Sequence, residues 1–412
     1  VRDAADNPFS PGSDIIPAVW AGRVEQLSDW RDILRPRLLS GKAERGRTIL
    51  GDPGLGKSSL VRRIAAGAKR AGDWVTPQLR IPSGTDPLKR VAAAILDLAE
   101  QAGLPASREA RIATALDRVQ AVSVSGIGLT LRNHDGPEPY SALTDLLVEI
   151  GQAAIARSQV AVIHIDEVQN IGDDTVLSQL LIALGDTITF ETDVTLPGGV
   201  IASRALPIAV YLTGLPDFAE MAGARRGATF ARRFKTTTLS PLGDDDLAAA
   251  LQPFVLDGWE VPDGEGGLAR IRMTPEAVDA ILHLCQGEPF LFQLAGERAW
   301  YAGTARTITR DDVLRGWLGA VPEAADHVDR ILSRLPGRER EFLEAMARLE
   351  PAERLHSRIA EEAGFAKATD AGPTARRLDE KRGIISRGKP ITFRHRAIGA
   401  YLTSDWPRPE GV

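Results

Sequence analysis

The sequence predicts an α/β chain with a parallel β-sheet core, a helical lid domain after it, and a C-terminal winged-helix domain. Three observations carry that class. Apolar stretches suited to buried strands, at residues 48–50, 75–81, 160–165 and 208–212, alternate with helical patterns from residue 47 to 239. Strands covered by helices on both faces are the mark of a parallel sheet. Between residues 244 and 318 the periodicity is helical throughout. After Pro322, helices near 325–335, 338–349, 354–363 and 373–382 precede two short strands, 384–386 and 391–394, joined by Arg387-Gly388-Lys389-Pro390. That is the order of a winged helix.

A chain of 412 residues exceeds one ordinary core and fits about two to three domains. The expected division is an N-terminal arm at 1–40, the sheet core at 41–242, the lid at 243–322 and the winged helix at 323–412. The arm reads as such because Asn7-Pro8-Phe9-Ser10-Pro11-Gly12 is rich in turn formers and Trp20-Ala21-Gly22-Arg23 leads into a helix over 24–39. In the lid, Thr274-Pro275-Glu276 starts a helix and Gly287 stops it before the next begins at Glu288. Two segments exceed a minimal core. Residues 122–131, with Gly126 and Gly128, alternate like a β-hairpin, and 187–205 form another excursion. Either offers a surface to a partner, and neither names one.

With 43% hydrophobic and 25% charged residues the composition is that of a globular protein, and the longest apolar runs fall short of the ~20 residues that span a bilayer. No membrane partner is expected. Asp3, Asp6 and Asn7 stand where a secretory signal needs a basic and then an apolar stretch, so a cytoplasmic location is the expectation. The single Cys285 lies in an apolar run and reads as an inert core thiol. A net charge of -5 gives no overall attraction to nucleic acid, so such binding requires a local basic face.

The chemistry concentrates in Gly51-Asp52-Pro53-Gly54-Leu55-Gly56-Lys57-Ser58, followed by Ser59. In G-x-x-x-x-G-K-S the glycines let backbone amides turn toward phosphate oxygens, Lys57 neutralises the β and γ phosphates of ATP, and the Ser58 hydroxyl is offered to Mg²⁺. The motif follows a buried strand and opens a helix with Leu60, Val61, Ile64 and Ala68 on one side, so a helix N-terminus faces the anion. A second element is then required: a carboxylate for the metal and a base for the attacking water, at the end of a neighbouring strand. The run from Val160 to Ile165 ends in Asp166, the expected Mg²⁺ residue, and Glu167, which would orient and polarise water.

These residues resemble the AAA+ and STAND superfamily of P-loop ATPases, in particular its origin-recognition-like and transposition-helper branches, over roughly residues 15–320. The resemblance implies nucleotide-dependent self-association into a ring or filament. It also implies roles for particular residues. Thr213, ending its strand, matches the sensor 1 residue that reads the γ-phosphate; a strand-end hydrogen bonder is the other reading. Ala231-Arg232-Arg233-Phe234 looks like the segment carrying an arginine finger for a neighbouring subunit's ATP, with Arg233 the first choice and Arg232 the second. A solvated basic turn remains the alternative, since Arg225 and Arg226 are close by. Gly22-Arg23 resembles the box that packs around adenine.

Two departures stand out. Gly287-Glu288-Pro289-Phe290 lacks the sensor 2 arginine that many AAA+ lids place after Gly-x-Pro; it is more like STAND proteins, in which the proline, here Pro289, closes over the nucleotide. Lys57 and Asp166 are also farther apart in the chain than a minimal core requires.

In the C-terminal stretch Arg376, Arg377, Lys381, Arg382, Arg387, Lys389, Arg394 and Arg396 outnumber Asp379 and Glu380, a basic region suited to duplex DNA. Residues 373–382 contain no Gln or Asn, so contacts would be to phosphates rather than bases. The leading expectation is a slow or partner-stimulated ATPase that binds DNA. The alternative is a STAND-like signalling or defence switch whose winged helix docks a protein partner or holds the inactive state. A metabolic kinase is disfavoured because no separate substrate domain is visible.

Overall fold

Strand β1 (Gly46–Leu50) is buried at every position and ends where the phosphate-loop motif begins. It belongs to a six-stranded sheet in which it lies between the strands at 208–214 and 234–238, the strand at 161–166 pairs beyond the former, and short strands at 74–75 and 79–80 pair with 161–166. The computed structural model describes residues 2–12, 14–103, 139–195, 197–224, 232–263 and 266–409. The hairpin expected at 122–131 lies outside them, as do Arg225, Arg226 and Ala231.

The chain forms two compact units, Val24–Leu50 with Leu60–Thr237, and Val1–Arg23 with Gly51–Ser59 and Thr238–Val412. In the first, the sheet unit, α1 (Val24–Ser28) passes through a π-helical stretch (Asp29–Leu34) into α2 (Arg35–Leu39), the helix expected there. After β1, helix α3 (Lys57–Arg70) buries Leu60, Val61, Ile64 and Ala68, the side its sequence pattern marked. The strand expected at 75–81 is two short pieces, β2 (Trp74–Val75) and β3 (Leu79–Arg80), each parallel to β4 (Ala161–Asp166). Pro77 lies between them and has no amide to donate to a ladder. Helices α4 (Pro87–Gln101), α5 (Pro139–Arg157) and α6 (Asp174–Thr189) flank the sheet.

The excursion at 187–205 is the end of α6 plus an antiparallel hairpin, β5 (Glu191–Thr195) and β6 (Ile201–Ala205). Strand β7 (Ile208–Gly214) is wholly buried and parallel to both β1 and β4. Helix α7 (Phe218–Ala224) and β8 (Phe234–Thr238) complete the unit; β8 was not anticipated. The core runs from Leu50 and Trp74 through Ile163 and Leu212 to Phe234.

The second, the lid unit, corrects the expectation of a purely helical 244–318. After α8 (Asp244–Leu256), strands β9 (Trp259–Pro262) and β10 (Leu268–Met273) pair antiparallel, and β11 (Thr307–Ile308) adds in parallel to β10. Along β10, Ala269, Ile271 and Met273 are buried while Leu268, Arg270 and Arg272 are exposed, a two-residue period that makes a strand. Between β10 and β11 lie α9 (Pro275–Cys285), which Thr274 caps by accepting from the Ala277 amide, and α10 (Pro289–Tyr301).

Helices α11 (Arg310–Leu318), α12 (Val321–Ser333), α13 (Gly337–Arg348), α14 (His356–Glu362) and α15 (Gly372–Arg376) follow, the last continuing as a π-helical turn to Lys381. The hairpin β12 (Ile385–Ser386) and β13 (Thr392–Phe393) leads into an unanticipated α16 (Arg396–Thr403). One continuous core holds this unit, from Phe9 through Phe254, Phe292 and Trp317 to Phe342 and Ile398. The arm is therefore docked: Phe9 stacks on Phe254 at 5.7 Å, and buried Arg2 pairs with Asp312 at 3.2 Å. Cys285 is buried and free, its thiol pushed up to about 12 by burial. Among the described residues no helix is long and apolar enough to cross a membrane.

Candidate nucleotide-binding site

In the lid unit, Gly54 and Gly56 adopt φ of 87° and 79°, a left-handed backbone open to glycine at no steric cost. Lys57 Nζ donates to the carbonyls of Gly51 (2.8 Å) and Asp52 (3.0 Å). Leu55 is buried and its carbonyl accepts from Arg23 Nη2 at 3.0 Å. Arg23 also sits at positive φ, 61°. Burial brings its guanidinium down to about 10 despite the opposing fields of Asp246 and Glu288, so it remains a cation at neutral pH. Pro53, Ser58 and Ser59 are half-buried. Pro289 approaches the open side of Gly56, where a β-carbon would lie 3.9 Å from Pro289 Cβ.

The lid fastens the loop from below. The Phe290 amide donates to the Gly54 carbonyl at 3.1 Å, and a β-carbon on Gly54 would stand 2.4 Å from His327 Cε1 and 3.1 Å from Glu288 Oε2. Glu288, fully buried, accepts from His327 Nε2 at 2.7 Å and lies 2.6 Å from His395 Nε2. Asp52 turns its buried side chain toward this cluster rather than outward: His395, Lys57, Glu288 and Arg382 are the charges that act on it. Neither Glu288 as a buried acid nor His327 and His395 as its partners was assigned from the sequence. An acid inside an otherwise apolar Gly-x-Pro run was the one available signal.

In the sheet unit, the parallel register sets Ile165 opposite Leu212 and Leu50 opposite Gly214. Asp166, Thr213 and the residue before the phosphate loop thus share one end of the sheet. Asp166 accepts from the Thr213 hydroxyl, from Gln78 Nε2, and from the Glu167 amide at 2.9 Å. Because the Thr213 hydroxyl donates to Asp166, it accepts from His164 Nε2 at 2.9 Å, which assigns that nitrogen the proton. Burial brings His164 down to about 4, so it is neutral.

Glu167 is exposed, at φ 59°, with Gln169 Nε2 on its carboxylate at 2.5 Å. Gln169 Oε1 accepts from the Leu215 amide just beyond β7. Gly214 leaves room for this, since a β-carbon there would stand 2.7 Å from Gln169 Oε1. Of the two arginines, Arg233 pairs with Asp186 at 2.6 Å and crosses α6 at Gly185, whereas Arg232 is exposed.

The basic C-terminal residues divide. Exposed Arg377 and half-buried Arg382 pair with buried Glu339 at 3.1 and 2.9 Å, and Arg387 pairs with Asp379 and Glu380. Arg376, Lys381 and Lys389 are exposed.

No protein-family model matches this chain, and no curated protein sequence matches it. Among solved structures it is similar to the ORC2 protein of Aeropyrum pernix in its ADPNP–ADP complexes, at 17% identity over 95% of each chain with a TM-score of 0.53. It is also similar to a Walker-type ATPase of Pyrococcus abyssi, at 14% identity over 92% of this chain and 95% of that one, TM-score 0.53. At these identities the likeness defines the fold. The chain shares with those structures an α/β fold with a parallel sheet core.

Proposed function

We propose that this protein binds and hydrolyses ATP, slowly or under a partner's control, and that the nucleotide governs its self-association. The observation that carries the reading is the phosphate-loop turn: two left-handed glycines ahead of the N-terminus of α3, with Lys57 held against the loop's own carbonyls. Such a turn aims backbone amides and a cation at one anion. In this reading Gly51 to Ser59 hold the phosphates, with Arg23 and Pro289 closing the site. Ser58 and Asp166 would hold Mg²⁺, which supplies charge neutralisation to the triphosphate when bound. Asp166 and Ser58 offer the oxygen donors Mg²⁺ prefers, and the left-handed Gly54 and Gly56 with the Lys57 cation suit a polyphosphate, so the chemistry of the residues present fits both groups. Glu167, exposed and steadied by Gln169, is the base that takes the water proton. Thr213 holds Asp166 and reads the γ-phosphate through it. Arg232, free of the Asp186 pairing that holds Arg233, is the better placed of the two for a trans contact.

Duplex DNA is the proposed partner of the C-terminal winged helix, through the phosphate contacts that exposed Arg376, Lys381 and Lys389 offer. Arg377, Arg382 and Arg387 are committed to internal acids and contribute less. One observation favours the STAND-like switch instead: His327 and His395 reach Glu288 beside the phosphate loop. ATP hydrolysis and particle mass, measured with and without duplex DNA for the parent, Lys57→Ala and Glu167→Gln, separate the readings. Glu167→Gln is expected to keep ATP, to assemble, and to lose turnover by about a thousandfold. Hydrolysis at the parent rate removes Glu167 from the role of base. DNA-stimulated turnover supports the first reading; nucleotide retained through purification with no DNA response supports the second.

A further inference from the structure

Four ionisable side chains share one buried volume beneath the phosphate loop. Asp52 comes from the loop itself, Glu288 from the start of α10, His327 from α12 and His395 from the cap of α16; their residue exposures are 6%, 0%, 7% and 1%. Asp52 Oδ2 and His395 Nδ1 have no hydrogen-bond partner among the described residues. Buried polar atoms in that state carry a free-energy cost that invites a functional explanation. The cluster is not built for a metal: no group of three or more His, Cys, Asp or Glu among the described residues is placed to hold one.

The geometry points to Glu288 as the positioning residue of the phosphate loop, charged and oriented by His395 and His327, so that the C-terminal part of the chain sets triphosphate affinity. The inference rests on the nucleotide reading of the loop.

Three contacts support it. Glu288 Oε2 and His327 Cε1 fill the space a side chain at Gly54 would need, and the Phe290 amide holds the Gly54 carbonyl. The Phe290 ring lies 4.7 Å from that of His327, locking it against the loop. Arg396, next to His395, reaches the Leu242 carbonyl at 3.3 Å and pairs with Asp244 at 2.7 Å; a β-carbon on Gly287 would stand 2.6 Å from its Nη2. Displacing the segment around His395 therefore removes one counter-charge of Glu288, the residue whose Oε2 stands against Gly54.

The cluster is also linked to protons. The charged groups facing it are Lys57 from the loop, Arg23 from the arm and Arg382 from the turn after α15, beside the four themselves. Burial opposes the charge of His395, but Glu288 and Asp52 outweigh it and raise its pKa. Burial likewise opposes the charge of Glu288, but His395 and His327 bring it down to about 2. For Asp52 burial wins and the pKa is raised. A polyanion on the loop disfavours ionised Asp52 and favours charged His395. The bound state thus holds more protons than the free state, and affinity falls as pH rises.

MgATP affinity is measured by titration calorimetry for the parent, Lys57→Ala, Glu288→Gln, His395→Gln and the double variant, from about pH 6 to about pH 8.5, with folding checked by circular dichroism. Each single substitution is expected to weaken binding about tenfold at low pH, and the double variant to recover most of that loss, because removing both charges leaves neither buried alone. The parent is expected to take up protons on binding, seen as heat that varies with the buffer's ionisation enthalpy. Folded single variants that bind like the parent at every pH overturn the proposal. If those variants do not fold, the parent alone decides, and binding without proton uptake overturns it. A parent that binds no MgATP overturns the nucleotide reading itself, whereas binding that Lys57→Ala abolishes keeps that reading and isolates the cluster as the part under test.

Discussion

Asp166 at the end of β4 and Glu288 at the start of α10 are both buried acids beside a buried histidine, yet the two pairs resolve their charge in opposite ways. His164 reaches Asp166 only through the Thr213 hydroxyl, and burial holds it neutral, down to about 4. His395 stands 2.6 Å from Glu288 with nothing between them, and its pKa is raised. One hydroxyl makes the difference: a neutral donor satisfies a carboxylate without cancelling its charge, whereas direct ionic contact cancels it. Glu288 is spent on holding the fold around the loop.

Breaking the ionic cluster carries the largest expected effect. Glu288→Ala leaves buried His395 without its counter-charge and His327 Nε2 without its acceptor, and is expected to cost about 3 to 5 kcal/mol of stability, read from urea unfolding. Breaking the hydroxyl relay costs less: Thr213→Val strands one oxygen of Asp166 and the Nε2 proton of His164, for about 1 to 3 kcal/mol by the same measurement.

The pH dependence sharpens the contrast, since the two histidines act with opposite sign. Glu288 is depressed from 4.5 to about 2, so its stabilisation is present above about 4.5 and lost as pH falls through about 2. His395 is raised above 6.5, so its stabilisation is complete below about 6.5 and lost as pH rises through its folded value. His164 is lowered from 6.5 to about 4; the unfolded chain takes the proton first, and stability falls as pH drops from about 6.5 towards about 4. Urea midpoints against pH should therefore lose their alkaline decline in His395→Gln and their decline below about 6.5 in His164→Asn. The smallest effect is expected outside both clusters. Arg233→Ala removes a partly exposed ion pair with Asp186 and should change stability by about 0.5 kcal/mol or less.

What the sequence disclosed follows from how far each signal extends along the chain. The phosphate loop is eight contiguous residues, and β1, β4 and β7 are apolar runs bounded by turns, so both could be read directly. β10 could not, because its two-residue alternation, inward Ala269, Ile271 and Met273, is brief and lies between long helices whose period dominated the reading. Pro77 divided a run that looked continuous. The basic C-terminal stretch was legible as charge, but not as commitment: only packing shows that Glu339 takes Arg377 and Arg382 while Asp379 takes Arg387 and Arg394. The cluster under the loop was the least legible, since Asp52, Glu288, His327 and His395 come from four separate elements and a solitary histidine has no motif.

The most direct measurement is equilibrium binding of MgATP to the parent chain and to Lys57→Ala. Saturable binding by the parent, weakened about a hundredfold or more in a folded Lys57→Ala, is the expected result. No binding by the parent, or equal affinity in the two, contradicts the assignment of the 51–59 loop as a nucleotide site.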